Sequence, residues 1–210
     1  MFITFEGIEG CGKTTQVARL TESLRIRGIQ VVRTFEPGGT PAGERIRRIL
    51  LDRRNQDLSP LAELCLYEAD RAQHVDRVIR PALESGAWVL CDRFCDATTV
   101  YQGMARDLDM ELVRRLNRAA TGGIRPDMTF LLDCPVEEGL GRAFRRMSRE
   151  TDSGQDRFER EAVDFHQAVR EGYLRLASRE PERFVVIDAS QGPDAVETEI
   201  FQRLEPRLTG

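Results

Sequence analysis

No stretch of this 210-residue chain approaches the roughly 18 consecutive apolar residues that a membrane span requires. There is no surplus of basic charge either. Lys and Arg number 31 against 35 Asp and Glu, a net charge of -4, which removes the basic face that counterion release from nucleic acid needs. Any binding of phosphate must therefore be local. The five cysteines, Cys11, Cys65, Cys91, Cys95 and Cys134, have no paired metal-ligand spacing, and their odd number does not suit a disulfide framework, so a reducing compartment fits best. Met1-Phe2-Ile3 enters an apolar run with no charged leader or cleavage pattern. The expectation is a cytoplasmic protein with no membrane and no nucleic-acid partner.

What the chain does have is enough apolar residue, 40%, to bury a sizeable core without a disulfide or metal, and residues 1–210 read as one domain. Strand and helix signals alternate. Strands are expected at Phe2–Glu6, Gln30–Phe35, Ala87–Cys91, Met128–Asp133 and Phe184–Asp188. Helices are expected at Lys13–Arg27, Gly43–Asp52, from Ser59-Pro60 to Glu84, at Asp109–Ala120, Val136–Met147, Arg157–Ser178 and Pro193–Leu204. Ser59 is an N-cap and Pro60 the favoured first helical residue. Runs such as Trp88-Val89-Leu90-Cys91 read as strands buried on both faces, which predicts an α/β fold with a parallel sheet covered by helices. Cys65, Cys91 and Cys134 have apolar neighbours and are expected in the core.

Between the first strand and the first helix stands Gly7-Ile8-Glu9-Gly10-Cys11-Gly12-Lys13-Thr14, which fits Gly-x-x-x-x-Gly-Lys-Ser/Thr and is followed by Thr15. Glycines there let successive backbone N–H groups turn inward around a polyphosphate. Lys13 places an ammonium on the outer phosphates, the Thr14 hydroxyl can ligate Mg2+, and the helix adds its positive end. Cys11 lies where that helix end and Lys13 favour the thiolate, which raises oxidative inhibition as an expectation.

Ligands of such a sheet gather beyond the strand carboxyl ends. There the sequence has Glu36-Pro37-Gly38-Gly39-Thr40-Pro41, Asp92-Arg93-Phe94 and Asp133-Cys134-Pro135. Asp92 is placed to hold a water of Mg2+ or to cap a helix, and Arg93 to hold a phosphate bidentately. Residues 148–155, polar and without apolar periodicity, follow Arg142, Arg145 and Arg146 and suggest a lid over roughly 142–157 that brings cations and excludes water, although a charge run of this kind also suits a solvated surface loop.

Taken in order, Phe5-Glu6-Gly7, the loop through Thr14-Thr15-Gln16, Glu36-Pro37-Gly38-Gly39-Thr40, Asp70-Arg71-Ala72-Gln73-His74, Asp92-Arg93-Phe94, Tyr101-Gln102-Gly103 and Asp156-Arg157-Phe158-Glu159 resemble thymidylate kinase over essentially the whole chain. The resemblance implies a P-loop nucleoside monophosphate kinase fold with a five-stranded parallel sheet. It also implies ATP and dTMP as substrates, Mg2+ as cofactor, and a cytosolic homodimer. By the same resemblance Gly7 to Thr15 and Arg142 bind ATP. Lys13, Glu9 and Arg93 take part in catalysis, and Thr14 and Asp92 serve the metal. Glu9, Pro37, Arg47, Tyr67, Arg71, Arg93, Thr98, Tyr101 and Gln102 receive dTMP, with Tyr67 stacking on thymine and Arg71 bonding its edge. The loop holds no arginine, so the catalytic arginine is expected from the lid: Arg149 first, Arg146 in reserve. Departures from the family pattern are Tyr67 where Phe is usual, Ala97 where a polar side chain is common, and a somewhat long lid. A kinase of another nucleoside monophosphate and a nucleotide-dependent switch are the competing readings.

Overall fold

Thr4 lies at the centre of the molecule, on the middle strand of a parallel sheet, and its hydroxyl meets that of Thr129 on the next strand at 2.8 Å. The computed structural model describes residues 1–148, 157–159 and 161–208. Its strands are β1 (Phe2–Glu6), β2 (Val31–Phe35), β3 (Trp88–Asp92), β4 (Met128–Asp133) and β5 (Phe184–Asp188), ordered β2-β3-β1-β4-β5 and parallel at every pairing. The helices are α1 (Lys13–Ile26), α2 (Pro41–Leu51), α3 (Pro60–His74), α4 (Arg80–Glu84), α5 (Cys95–Thr98), α6 (Met110–Thr121), α7 (Val136–Met147), α8 (Val163–Arg179) and α9 (Pro193–Leu204).

Side chains alternate in direction along β1 and β3, so the two faces of the sheet fill separately. Phe2, Val89 and Cys91 join Val75, Ile79, Ala82 and Phe94 in one cluster, while Ile3, Phe5 and Leu90 join the larger core with α1, α8 and α9. Register then sets the site. Phe5 pairs with Asp92 and Phe35 also pairs with Asp92, so the exits of β1, β2 and β3 are level at one edge. After β3 the sheet grows on the other side of β1, which leaves the loop following β1 over the crevice where strand order changes.

The fold class is as the sequence predicts, with local differences that have physical causes. The helix expected from Ser59 to Glu84 is interrupted by a π-helical turn, Val75–Ile79, before Pro81. Proline has no N–H and crowds the carbonyl four residues back, and a wider turn relieves both. The helix expected from Arg157 begins at Val163, because Arg157 is buried in a turn, donating to the Leu50 carbonyl at 2.7 Å and pairing with Glu63. No helix was expected at residues 95–105, where α5 continues into a π-helical segment, Thr99–Ala105. The β-branched run Thr98-Thr99-Val100 is a poor helix former. Tertiary contacts override it: Asn117 donates to the Cys95 carbonyl and the Thr99 hydroxyl, and Arg183 makes a buried pair with Asp96. Cys91 and Cys134 are buried as expected, but Cys65 is exposed. The inner side of α3 carries Glu63, Glu68, Asp70, Arg71 and His74, which turns Cys65 outward.

The loop after β1 presses on the first turn of α7. A Cβ on Gly139 would stand 2.6 Å from the Glu9 carbonyl oxygen and 2.8 Å from Ile8 Cδ1. Alanine is intrinsically the better helix residue by about 1 kcal/mol, so Gly139→Ala sets propensity against overlap with backbone. Overlap should win, because the loop backbone cannot yield as a side-chain tip can. The expected outcome is a lower thermal midpoint than wild type, and a midpoint at or above wild type would show that the loop and α7 separate freely.

Candidate functional site

Three glycines shape the loop between β1 and α1: Gly7, Gly10 and Gly12 have φ of 136°, 70° and 100°. A Cβ on Gly10 would lie 1.9 Å from the Gly139 carbonyl oxygen, so this position excludes larger residues on two counts. Gly12 caps α1 without any side-chain acceptor, which leaves the first N–H groups of the helix to a ligand. Lys13 is the sole lysine among the chain's 31 basic residues. It is buried, donating to the carbonyls of Gly7 at 3.0 Å and Ile8 at 2.8 Å, with Cys11 Sγ at 3.5 Å. Cys11 is only 3% exposed, which limits the access that thiol oxidation needs. Thr14 Oγ1 donates to Asp92 Oδ2 at 2.6 Å and so joins the helix start to the end of β3.

A cleft of about 1300 Å³ opens along the carboxyl edge of the sheet. Its lining takes in the loop from Glu9 to Thr15, Pro37, Arg47, Tyr67, Asp92, Arg93, Thr98, Tyr101, Gln102, Arg142 and Arg146. Gly7 and Ile8 lie behind it and contribute their carbonyls to Lys13. Arg149 lies outside the described residues, as do the other lid residues 150–156.

Glu9 is the electrostatic centre of the cleft. Its Oε1 accepts from Arg93 Nη2 at 2.8 Å and from the Tyr101 hydroxyl at 2.7 Å. Burial alone would raise its pKa, but Arg93, His166 and Lys13 together hold the carboxyl well below the usual range. Arg93 has a left-handed backbone, φ 70°, uncommon for a residue with a Cβ. Its N–H donates to the Phe5 carbonyl, Nη1 to the Tyr173 hydroxyl at 3.3 Å, and the guanidinium lies 5.0 Å from the Tyr101 ring centre. Thr98 is 1% exposed and its hydroxyl has no partner among the described residues, so a buried polar group faces the cleft unsatisfied. The amide of Gln102 donates to Glu63 at 2.8 Å. Tyr67 is half-buried, edge-on to Phe158, and burial raises its phenol pKa further above the ordinary value. Arg47 donates to the Pro37 carbonyl at 2.8 Å and lies over Phe35.

Arg71, expected at the base edge, does not line the cleft. Only 1% exposed, it donates to Glu36 Oε2 at 2.9 Å, Asn117 Oδ1 at 2.9 Å and the Phe94 carbonyl at 3.2 Å. Glu36 also holds His74, which holds the Thr34 hydroxyl, so the Glu-Pro-Gly-Gly turn is tied to α3. Arg142 reaches the carbonyls of Ala189 and Ser190 at 2.8 and 3.2 Å, and Arg146 stands 3.7 Å from Glu159. The sequence reading missed two groups. Ser190, Gln191, Gly192 and Pro193 line the cleft beyond β5, an end the carboxyl-edge rule should have flagged, and buried His166 touches Glu9.

The family model for thymidylate kinase matches residues 5–200. The chain is 57% identical to a thymidylate kinase of Geobacter sulfurreducens, covering 99% of this chain and 97% of that one. It is 61% identical to one of Desulfosudis oleivorans, covering 93% and 91%. Among solved structures, the crystal structure of thymidylate kinase from Ehrlichia chaffeensis superimposes with a TM-score of 0.77 at 35% identity, covering 97% of this chain and 98% of that one.

Beneath the cleft, Glu6 is fully buried, accepting from the Phe94 N–H at 2.8 Å and the Tyr173 hydroxyl at 2.7 Å. Burial and then Asp96 push its pKa from 4.5 up to about 7, against the opposing Arg93. A carboxyl whose pKa rises on folding binds more protons when folded, so its contribution is full below about pH 4.5 and is lost as pH climbs through about 7. Between pH 5 and 8 wild type should therefore lose more urea stability than Glu6→Gln, by on the order of 2–3 kcal/mol. Equal losses in the two proteins would contradict this.

Proposed function

We propose, on the premise that this chain belongs to the thymidylate kinase family, that its cleft seats ATP at the phosphate-loop end and dTMP beneath Arg93 and Tyr101. Membership makes the chain an ATP-dependent nucleoside monophosphate kinase that phosphorylates dTMP. The observation that carries the two-site reading is one continuous cleft with a glycine loop and free helix N-terminus at one end and, at the other, Arg93, Tyr101 and the unpartnered Thr98 hydroxyl.

Phosphoryl transfer leaves little covalent work to the protein, which must align donor and acceptor and stabilise spreading negative charge. Gly10 to Thr15 cradle the ATP phosphates through backbone N–H groups, and Lys13 turns from the Gly7 and Ile8 carbonyls to the transferring group. Arg93, with Arg47 beside Pro37, holds the acceptor phosphate, and Glu9, the partner of Arg93 in this structure, faces the acceptor sugar. Tyr67 stacks on the base, with Thr98 and Gln102 on its polar edge and Tyr101 against the sugar. Arg71 joins this set from behind the lining, since reaching the base requires it to release Asn117 or the Phe94 carbonyl. Arg142 serves the adenine end. Arg149, or Arg146 in its place, neutralises the moving phosphoryl once the lid closes.

Thr14 Oγ1 and Asp92 Oδ2, 2.6 Å apart on the cleft wall, fit Mg2+. They are hard oxygens, few in number, as suits an ion that keeps waters and takes its remaining ligands from substrate phosphates. When bound, the ion would supply charge neutralisation on the phosphate oxygens. We further read the protein as cytoplasmic and homodimeric. No helix among the described residues is long and apolar enough to cross a membrane, and Ile49 and Leu61, both left exposed on α2 and α3, support a second copy packing there.

Initial rates of ADP formation with Mg-ATP and separate acceptors test the assignment. Strong turnover is expected with dTMP, weak with dUMP, because one methyl is worth only about 1–3 kcal/mol in a pocket, and none with dAMP or dGMP. Equal rates with a purine acceptor would overturn the base-pocket roles. Removing the transition-state arginine should cost on the order of a thousandfold in kcat. If Arg146→Ala and Arg149→Ala both kept near-full turnover, the lid assignment would be wrong.

A further inference from the structure

His166 lies on α8, far in sequence from the loop that carries Glu9, and is 0% exposed. Its Nδ1 stands 3.2 Å from Glu9 Oε2, close enough for an ion pair but not aligned as a hydrogen bond. Among the described residues neither ring nitrogen has any other partner, and Glu9 Oε2 is likewise without a hydrogen bond. Two buried polar groups thus face each other without an aligned bond, which costs free energy unless another state of the site engages them. The other Glu9 oxygen, Oε1, accepts from both Arg93 and Tyr101, so all the directed hydrogen bonding of the carboxylate falls on one side.

We infer that His166 is a positioning residue for Glu9: when Arg93 turns from Glu9 to the acceptor phosphate, the His166 Nδ1–H closes onto Glu9 Oε2 and holds the carboxylate in place. This rests on the assignment of Arg93 and Glu9 to the acceptor end of the cleft. A buried carboxylate that loses its guanidinium needs a replacement donor, and His166 is the group within reach on the free oxygen. The Phe165 ring, edge-on at 5.7 Å, and the burial of α8 keep water from taking that place. Acceptor binding thereby exchanges one donor for another on Glu9 rather than stranding a charge.

The chain has two histidines, so imidazole nitrogen resonances give a direct readout, with His74, fixed between Glu36 and Thr34, as internal reference. On titrating the intact enzyme with dTMP alone, the His166 nitrogens should shift to those of a ring donating through Nδ1, while His74 stays put; resonances unmoved at saturation would overturn the inference. In kinetics, His166→Phe fills the space without a donor and should raise the dTMP KM about tenfold, the worth of a hydrogen bond to a charged group, with the ATP KM unchanged. His166→Gln, which keeps a donor, should recover part of the loss. Glu9→Gln separates the two layers of assignment. If it leaves the dTMP KM unchanged, the acceptor-end assignment fails and the inference falls with it. If it raises that KM while His166→Phe does not, the inference alone is wrong.

Discussion

A buried carboxylate must be paired, and the rest of the site follows from how Glu9 meets that requirement. The loop after β1 carries Glu9 into the cleft floor, where burial would neutralise it unless cations closed around it. Arg93 supplies the nearest guanidinium, and to reach it the chain accepts a left-handed backbone at the end of β3. That conformation is held from three sides: the Arg93 N–H on the Phe5 carbonyl, the Phe94 N–H on Glu6, and the Cys91 thiol on the Arg93 carbonyl. Strain of order 1–3 kcal/mol at one residue persists only where neighbours over-determine it. Here all these neighbours belong to β1, the central strand, and to β3 beside it.

Glu6 and Glu9 do different work although they leave the same strand. Glu6 is cut off from solvent and holds backbone and Tyr173, and its pKa rises because burial and Asp96 outweigh Arg93. Glu9, buried at the cleft surface, is held ionised by Arg93, His166 and Lys13. Environment rather than residue type therefore sets which carboxyl is a structural acceptor and which is a charged partner of the cleft. A similar division runs through the arginines. Arg71, Arg157 and Arg183 are buried and bind carboxylates and carbonyls within the fold, whereas Arg93, Arg142 and Arg146 face the cleft. Planar guanidinium can satisfy several acceptors at fixed angles, which suits a chain whose only lysine is the one in the phosphate loop.

The sheet was legible in the sequence because each strand is a short apolar run between turn residues, and buried parallel strands show nothing subtler than that. The glycine-shaped loop after β1 was legible for a related reason: its geometry admits few residues. The segment from Cys95 to Ala105 was not read as helix, because its Thr-Thr-Val run argues against one and the bonds that hold it come from α6 and from Arg183, just before β5. Arg157 misled for the opposite reason, since a polar residue before a helical pattern reads as solvated unless its buried partners, Leu50 and Glu63 about a hundred positions away, are known.

Arg71 marks the limit of pattern more sharply. Four residues after Tyr67 places both on one side of α3, and that much is correct. Spacing gives direction and says nothing of depth: the phenol stops at the cleft, while the longer guanidinium passes behind it to Glu36, Asn117 and the Phe94 carbonyl. Glu36 in turn fixes His74 and, through it, Thr34, so a side chain expected at the base edge also braces the turn that carries Pro37. His166 inverts that case. One buried histidine on an otherwise ordinary amphipathic helix reads as core, and only the position of Glu9, 157 residues earlier in the chain, gives its ring a polar neighbour.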